Sequence, residues 1–393
     1  MIRGTAQAAK AGAFRPEGRN RYGLAEWAGA FGDLGTLLPF ALAYIAVVKV
    51  APLGMLLAFG VSMIAVGLYY RSPVPVQPMK AIGAVAATQA AQVVSITPQA
   101  VYAAGLATGL LWLALGASGL IQRVATLVPR PVSVGIVLGL GFAFMLEGLK
   151  MMALGWALAG AGLALVMLLL DNRRVPAMFA LLAFGAGAAL VLDPTLIGEL
   201  AQVHVGLRLP HFALADLGWH DAFVGVVFLA LPQLPLTFGN AILGVVEANN
   251  REFPERPIDA RKAALSTGLM NAAGAAVGGV PMCHGAGGLA AHVRFGARTG
   301  GALVILGSVL VLVALLFSES LSTLLRIFPT PVLGVMLFLT GAQLALGSCD
   351  FSHRKEERFA TLITAGCSIW NVGLGFALGW IVFAVLRRGW VRL

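Results

Sequence analysis

Charge is what this chain has least of. Only 11% of its 393 residues are Asp, Glu, Lys or Arg, against about 25% in soluble globular proteins. Hydrophobic residues make up 59% and mean hydropathy is +0.88. So little polar surface cannot cover a water-soluble body of this length. Cysteine is scarce too: Cys283, Cys349 and Cys367 show neither metal-ligand spacing nor a disulfide framework. No nucleotide-binding loop is present, which argues against a self-powered pump. The polar catalytic cluster that an intramembrane acyl or glycosyl transferase needs is missing as well, so an enzyme and a cofactor are not expected. The first 22 residues are basic with no apolar core, unlike a cleaved signal peptide.

What is there is hydrocarbon. Apolar runs such as 132–145, 301–317 and 332–346 recur with short polar breaks. At about 20 residues per span the chain has room for roughly 12 to 14 helices and no sizeable soluble domain. The pattern predicts spans at 24–48, 51–70, 78–95, 99–121, 131–149, 153–170, 175–193, 221–246, 262–279, 285–293, 300–318, 330–348, 359–370 and 371–387. With the N-terminus inside, every one of the 27 basic residues except Lys49, Lys80, Lys150, Arg208 and Arg326 falls in the cytoplasm. The positive-inside rule accounts for that asymmetry. It places both termini on the cytoplasmic side of a cell inner membrane and removes nucleic acid as the reason for the formal charge of +10.

Two stretches interrupt the hydrocarbon. Pro73-Val74-Pro75-Val76-Gln77-Pro78-Met79-Lys80 cannot begin as a helix, because each proline lacks an N–H and pushes its predecessor out of the α region. Gly278-Gly279-Val280-Pro281-Met282-Cys283-His284-Gly285 is the second. In a bilayer such breaks survive only where protein or a polar cavity satisfies the backbone. Interruptions at matching places in two halves are the sequence pointer to a transporter's substrate site.

The halves do match. Phe31-Gly32-Asp33 has its counterpart in Phe238-Gly239-Asn240, and Gln77 maps to His284 at the same offset of 207. Val128-Pro129-Arg130-Pro131-Val132 resembles Phe328-Pro329-Thr330-Pro331-Val332 at an offset of 200. Seven spans per half is an odd number, so the second copy enters the membrane upside down. The expected divisions are a cytoplasmic segment 1–23, a first transmembrane repeat 24–193, an outer connecting loop 194–220 and a second repeat 221–393.

These segments, together with Phe31-Gly32-Asp33-Leu34-Gly35-Thr36, Pro281-Met282-Cys283-His284-Gly285-Ala286-Gly287-Gly288-Leu289-Ala290 and Phe295-Gly296-Ala297-Arg298-Thr299-Gly300-Gly301, resemble the signature segments of the molybdate transporter family, a branch related to the sulfate permeases (SulP). The resemblance runs over essentially the whole chain. It implies an all-α, seven-plus-seven inverted repeat shared with uracil permeases, in which a core (spans 1–4 and 8–11) moves against a gate (spans 5–7 and 12–14). The C-terminal cytoplasmic domain of many sulfate permeases is not expected here.

The residues themselves suit an anion. Pro78 belongs at a first helical position, and the half-helix it opens would offer the N–H groups of Met79, Lys80 and Ala81. Gly285, Ala286 and Gly287 would do the same at the second break. Two facing helix N-termini make an anion site, although each dipole end contributes only about 0.3–2 kcal/mol. Lys80 either adds its charge to the substrate or pairs with Asp33. Asp33 carries a coupling proton or is the other half of that salt bridge. His284, at the second break, would donate to an oxyanion or carry the proton. Gly35, Thr36, Gln77, Pro78, Asn240 and Cys283 complete the expected substrate contacts. Cys283 has no partner at metal-ligand spacing, Glu147 and Lys150 form an i,i+3 pair, Glu247 is solvated, and His204, His211 and His220 lie at the surface.

Three functions remain. The first is proton-coupled secondary transport of a tetrahedral oxyanion, molybdate ahead of sulfate. The second is the same fold carrying another small anion or a nucleobase; the carboxylate by which uracil-type permeases hold their base is replaced here by Cys283, His284 and glycines. The third is the intramembrane enzyme. Substrate, protons and the bilayer are the expected partners, and a homodimer is admitted without being fixed.

Overall fold

The computed structural model describes residues 19–83, 95–121, 123, 129–169, 175, 177–203, 205–321, 323, 327–346, 354–370 and 372–391. In chain order the helices are α1 (Leu24–Ala30), α2 (Leu34–Ala43), α3 (Pro52–Tyr70), α4 (Pro98–Ser118), α5 (Arg130–Met152), α6 (Trp156–Leu169), α7 (Ala177–Leu192), α8 (Thr195–Ala201), α9 (Trp219–Glu252), α10 (Ala260–Ala276), α11 (Ala286–Arg294), α12 (Gly301–Phe317), α13 (Thr330–Leu346), α14 (Lys355–Trp370) and α15 (Val372–Arg387). Two short strands, β1 (Gln77–Pro78) and β2 (Met282–Cys283), are the described sheet. A helix also starts at residue 80, and its continuation past 83 lies outside the described residues, as do Arg3, Lys10, Arg15, His204, Arg326 and Cys349. Where described, the helices follow the predicted spans to within a few residues.

Local chemistry sets the helix ends. Pro52 and Pro98 sit in first turns, where their missing N–H costs nothing. Thr97 caps α4 by accepting from the Ala100 N–H at 3.0 Å, and Asp259 caps α10 by accepting from Lys262 at 2.7 Å. The connecting segment satisfies carbonyls at helix C-terminal ends: the N–H groups of Gly206 and Arg208 bond Leu316 and Leu315, and that of Ala213 bonds Ala276.

α3, α4, α9 and α5 are each long and apolar enough to cross a bilayer alone. They and the shorter apolar helices group into two bodies. In the core, α3 packs along α12 and α4 along α10, and one large apolar cluster runs through them. In the gate, α5 lies between α13 and α14, with α15, α6 and α7 around them and a separate cluster built on Met152, Val166, Leu181, Val332 and Met336. The bodies meet along α2: Leu38 and Leu42 pack on the gate cluster, and Phe40 meets Phe144 of α5 edge-to-face at 5.0 Å.

Glycine permits the closest crossings. A Cβ on Gly60 would sit 2.7 Å from the Gly307 carbonyl oxygen, and one on Gly268 would sit 2.9 Å from that of Gly109. These α3–α12 and α10–α4 crossings are the same contact written once in each orientation. Gly141 and Gly341, 200 residues apart, meet each other across α5 and α13. Without a hydrophobic force between helices in lipid, such small-residue contacts supply the packing. This is the duplicated, inverted seven-plus-seven architecture with its core and gate.

Candidate functional site

The two breaks solve each other's backbone problem. β1 and β2 pair antiparallel, Gln77 opposite Cys283 and Pro78 opposite Met282, and the Met79 N–H donates to the Pro281 carbonyl at 2.8 Å. Asn271 of α10 grips Met282 twice, its Nδ2 donating to the carbonyl at 2.5 Å and its Oδ1 accepting from the N–H at 2.8 Å. His284 holds the rest. Its Nδ1 lies 2.8 Å from the Pro75 carbonyl, which can only accept, so Nδ1 carries the proton. In the neutral ring Nε2 then accepts from Ser266 Oγ at 2.8 Å, and Tyr70 Oη lies 2.8 Å from the same serine. With both nitrogens engaged by protein, His284 as described has no free nitrogen for a substrate.

Asp33 ends a 3-10 turn, Phe31–Asp33, that interrupts the first span between α1 and α2. Its carboxylate is buried, and the Gln77 Nε2 amide lies 2.7 Å from both of its oxygens. The Thr36 hydroxyl is turned to it as well. Lys80 is buried but forms no ion pair with Asp33 among the described residues; Cys283 and Asp33 are its charged or ionisable neighbours. Of the two roles left open for Lys80, the pairing with Asp33 is not formed; the carboxylate meets the Gln77 amide instead. His292 of α11 is a further electrostatic neighbour of Asp33, its Nδ1 donating to the Gly29 carbonyl at 2.7 Å.

The two helix starts differ. At the first, Met79 is spent on Pro281, and Gln233 of α9 accepts from the N–H groups of Ala81 and Ile82 at 2.8 and 3.3 Å. Gln233 is itself held by a 2.9 Å bond to Thr237. Of the three donors expected there, two are occupied by protein. The second start carries no side-chain cap at Gly285. A Cβ on Gly285 would run into Gln77 Oε1, and one on Gly288 into Gln77 Nε2 and, at 2.8 Å, Asp33 Oδ2. Gly287 is exposed and faces open space. Close approach is thus the property of Gly285 and Gly288, on one helical face, and Gly287 points elsewhere. Asn240 is half-buried, its Nδ2 3.8 Å from the position of a Gly285 Cβ. Ala286 is half-buried beside it, and Gly35 lies in α2.

Two buried polar atoms near this centre have no partner among the described residues: Gln77 Oε1 and Tyr44 Oη. Tyr44 packs by Gly83, where an added Cβ would lie 3.5 Å from its hydroxyl, and it is an electrostatic neighbour of Cys283. Buried polar groups are nearly always bonded, so each such orphan calls for a physical explanation. Tyr44, Gln233, Ser266, Asn271 and His292 were not singled out from sequence. Gln233, in Pro232-Gln233-Leu234-Pro235, carried a usable signal: an amide between two prolines inside an apolar span. Elsewhere Glu147 pairs with Lys150 at 3.0 Å as expected, and Glu247, His211 and His220 are exposed. Among the described residues no His, Cys, Asp and Glu group is arranged to hold a metal.

A family described as "Molybdate transporter of MFS superfamily" matches this chain twice, over residues 25–144 and again over 225–344. The chain belongs to the molybdate transporter family. The double match is the internal duplication seen from outside, one copy per half. Molybdate transporter 2 of Arabidopsis thaliana is 30% identical, the alignment covering 92% of this chain and 87% of that protein. Molybdate transporter 1 of the same plant is 32% identical over 94% and 89%. In fold, the chain is similar to the transmembrane domain of a cyanobacterial bicarbonate transporter, BicA (TM-score 0.58, 17% identity, covering 92% of this chain and 97% of that one). It is also similar to the murine anion transporter Slc26a9 in its inward-facing state (TM-score 0.69, 11% identity, 95% and 69%). Membership of the family makes this a membrane transport protein with anion transporters as its structural neighbours.

Proposed function

We propose that this molybdate transporter family member is a secondary active transporter that takes up a tetrahedral oxyanion, molybdate ahead of sulfate, with protons across the cytoplasmic membrane. One observation carries the reading: the α11 start is uncapped and glycine-lined, and the break paired with it holds the buried Lys80, an electrostatic neighbour of Cys283 and Asp33. Free N–H groups and a positive dipole end bind anions. Lys80 supplies the full charge that a dianion needs, and the orphaned Tyr44 hydroxyl is a further donor. A buried, unpaired lysine is costly in a bilayer and is retained where a ligand neutralises it.

Asp33 is the coupling residue in this reading, displacing His284, whose nitrogens are both engaged. A dianion entering beside Lys80 favours proton uptake nearby by simple charge balance. Movement of the core against the gate, along the α2 seam, would expose the site to each side in turn. The orientation with both termini inside fits the clustering of expected cytoplasmic residues. Arg256 reaches the Arg71 and Arg298 carbonyls, and the Arg21 N–H donates to Thr299 at 3.1 Å. Purified protein in proteoliposomes should accumulate molybdate when the outside is made acidic, with sulfate as a weaker competitor. Uptake indifferent to molybdate but driven by sulfate or bicarbonate would reassign the cargo.

A further inference from the structure

The first half's amide is placed to do more than buttress Asp33. We propose that the Gln77 carboxamide is a proton-operated switch: it turns over when Asp33 becomes protonated, exchanging an oxygen for an N–H₂ group on the side facing the oxyanion. This rests on the reading that the cavity binds an oxyanion, and it supplies the physical link between proton and anion.

An ionised carboxylate has only acceptors. Gln77 must therefore aim its Nε2 at Asp33, as found, with both oxygens at 2.7 Å. The consequence is that Oε1 is directed away from Asp33, buried, without a partner, and against the Cα of Gly285 at the start of α11. A carbonyl oxygen lodged at a helix N-terminus presents negative potential where an anion should bind. In this state the site repels its substrate.

A proton on Asp33 reverses the logic. The carboxylic acid now owns a donor, and Gln77 Oε1 becomes an acceptor for it, beside the Thr36 hydroxyl, once the amide rotates about its last torsion. That rotation satisfies the orphan and brings Nε2 with its two hydrogens to the α11 start. Protonation itself removes the negative charge beside Lys80. No bond is made or broken except the proton's transfer from water to Asp33. The ionisable groups facing Asp33 are Lys80 from the first half-helix, Cys283 from β2 and His292 from α11. By linkage, the proton and the anion must then strengthen each other's binding by the same factor.

Binding of molybdate, with sulfate as a second probe, is measured by calorimetry on the full-length protein in nanodiscs between pH 6 and 8. Wild-type affinity should rise about tenfold or more toward pH 6. Asp33→Asn should bind at every pH as wild type does at pH 6, because an asparagine amide can donate to Gln77 Oε1 permanently. The decisive arm is Gln77→Met in the Asp33→Asn background, where no charge changes. The switch predicts at least a tenfold loss; a loss of less than threefold means that Asp33 acts by charge alone and overturns the switch. The wild-type infrared difference spectrum on adding molybdate tests the same point without a variant. A protonated-carboxyl band absent in Asp33→Asn, together with a shifted glutamine carbonyl band absent in Gln77→Met, supports the proposal. Missing bands overturn it. Molybdate binding that ignores pH sinks the switch but leaves the transport reading standing, whereas no binding of either oxyanion at any pH removes both.

Discussion

The two breaks are copies of one motif, yet they no longer offer the same thing. In the first half, protein occupies the helix start: Pro281 takes the Met79 N–H, and Gln233 takes those of Ala81 and Ile82. What that half contributes is side chains, namely Asp33, Gln77 and Lys80. In the second half the side chains have gone quiet. His284 is locked between Pro75 and Ser266, and Asn240 stands where Asp33 stood. What remains is open backbone at Gly285–Gly288, uncapped. Duplication supplies two equal breaks; in the reading proposed above, divergence leaves charge to one and directed N–H groups to the other.

That division of labour can be broken on either side. The largest effect should come from Gly288→Ala, which drives a Cβ between Gln77 and Asp33; molybdate uptake into proteoliposomes should fall at least a hundredfold. Gly287→Ala is its internal control, since the space there is open, and uptake should stay within twofold. Equal losses in the two variants would show that backbone approach is not the second half's contribution. Lys80→Ala should weaken binding by about ten- to a hundredfold, with Lys80→Arg recovering part of it. Because Lys80 and Asp33 are not ion-paired, adding Asp33→Asn should not rescue the protein's stability; rescue would restore the salt-bridge reading.

Smaller effects test what merely holds the first start in place. Gln233→Leu orphans two buried N–H groups at about 1–3 kcal/mol each. The midpoint of thermal unfolding in detergent should drop by several degrees, while Gln233→Glu, which keeps the acceptor, should drop less. The smallest is His284→Asn. If the ring is a strut, the variant loses some stability but keeps the acceleration of uptake by an inward proton gradient. Loss of that acceleration with binding intact would return the coupling role to His284.

Much of this was legible in sequence because a bilayer leaves few choices. Prolines at 73, 75 and 78 and glycines at 278 and 279 can interrupt a span only where something satisfies the backbone, and equal offsets announce the duplication. What was hidden was which group satisfies what. Nothing local reveals that Gln233 would reach residues 81 and 82 from more than 150 positions away, or that Tyr44 would be left without a partner. Sequence left the Lys80–Asp33 pair open beside a substrate role, because opposite charges attract, but an amide donates to a carboxylate just as directly, and Gln77 holds that place. Sequence also does not show that Gly285 and Gly288 make the close approaches at the second start while Gly287 does not. Neighbouring helical positions differ by about 100°, whereas positions three apart share a face.

The pairing of β1 with β2 also sets a timetable. Gln77 and Cys283 are joined in one ladder although 206 residues separate them. At about 5–20 residues per second, a ribosome that has finished the first break needs roughly 10–40 s to deliver the second. Throughout that interval the stretch from Pro73 to Lys80 sits in the insertion machinery or the bilayer with its ladder partner unmade and its lysine uncovered, and Gln233 joins it only for about the last quarter. Biogenesis therefore has a waiting room, and a truncated nascent chain stalled before residue 280 should be a preferred client of membrane quality-control proteases.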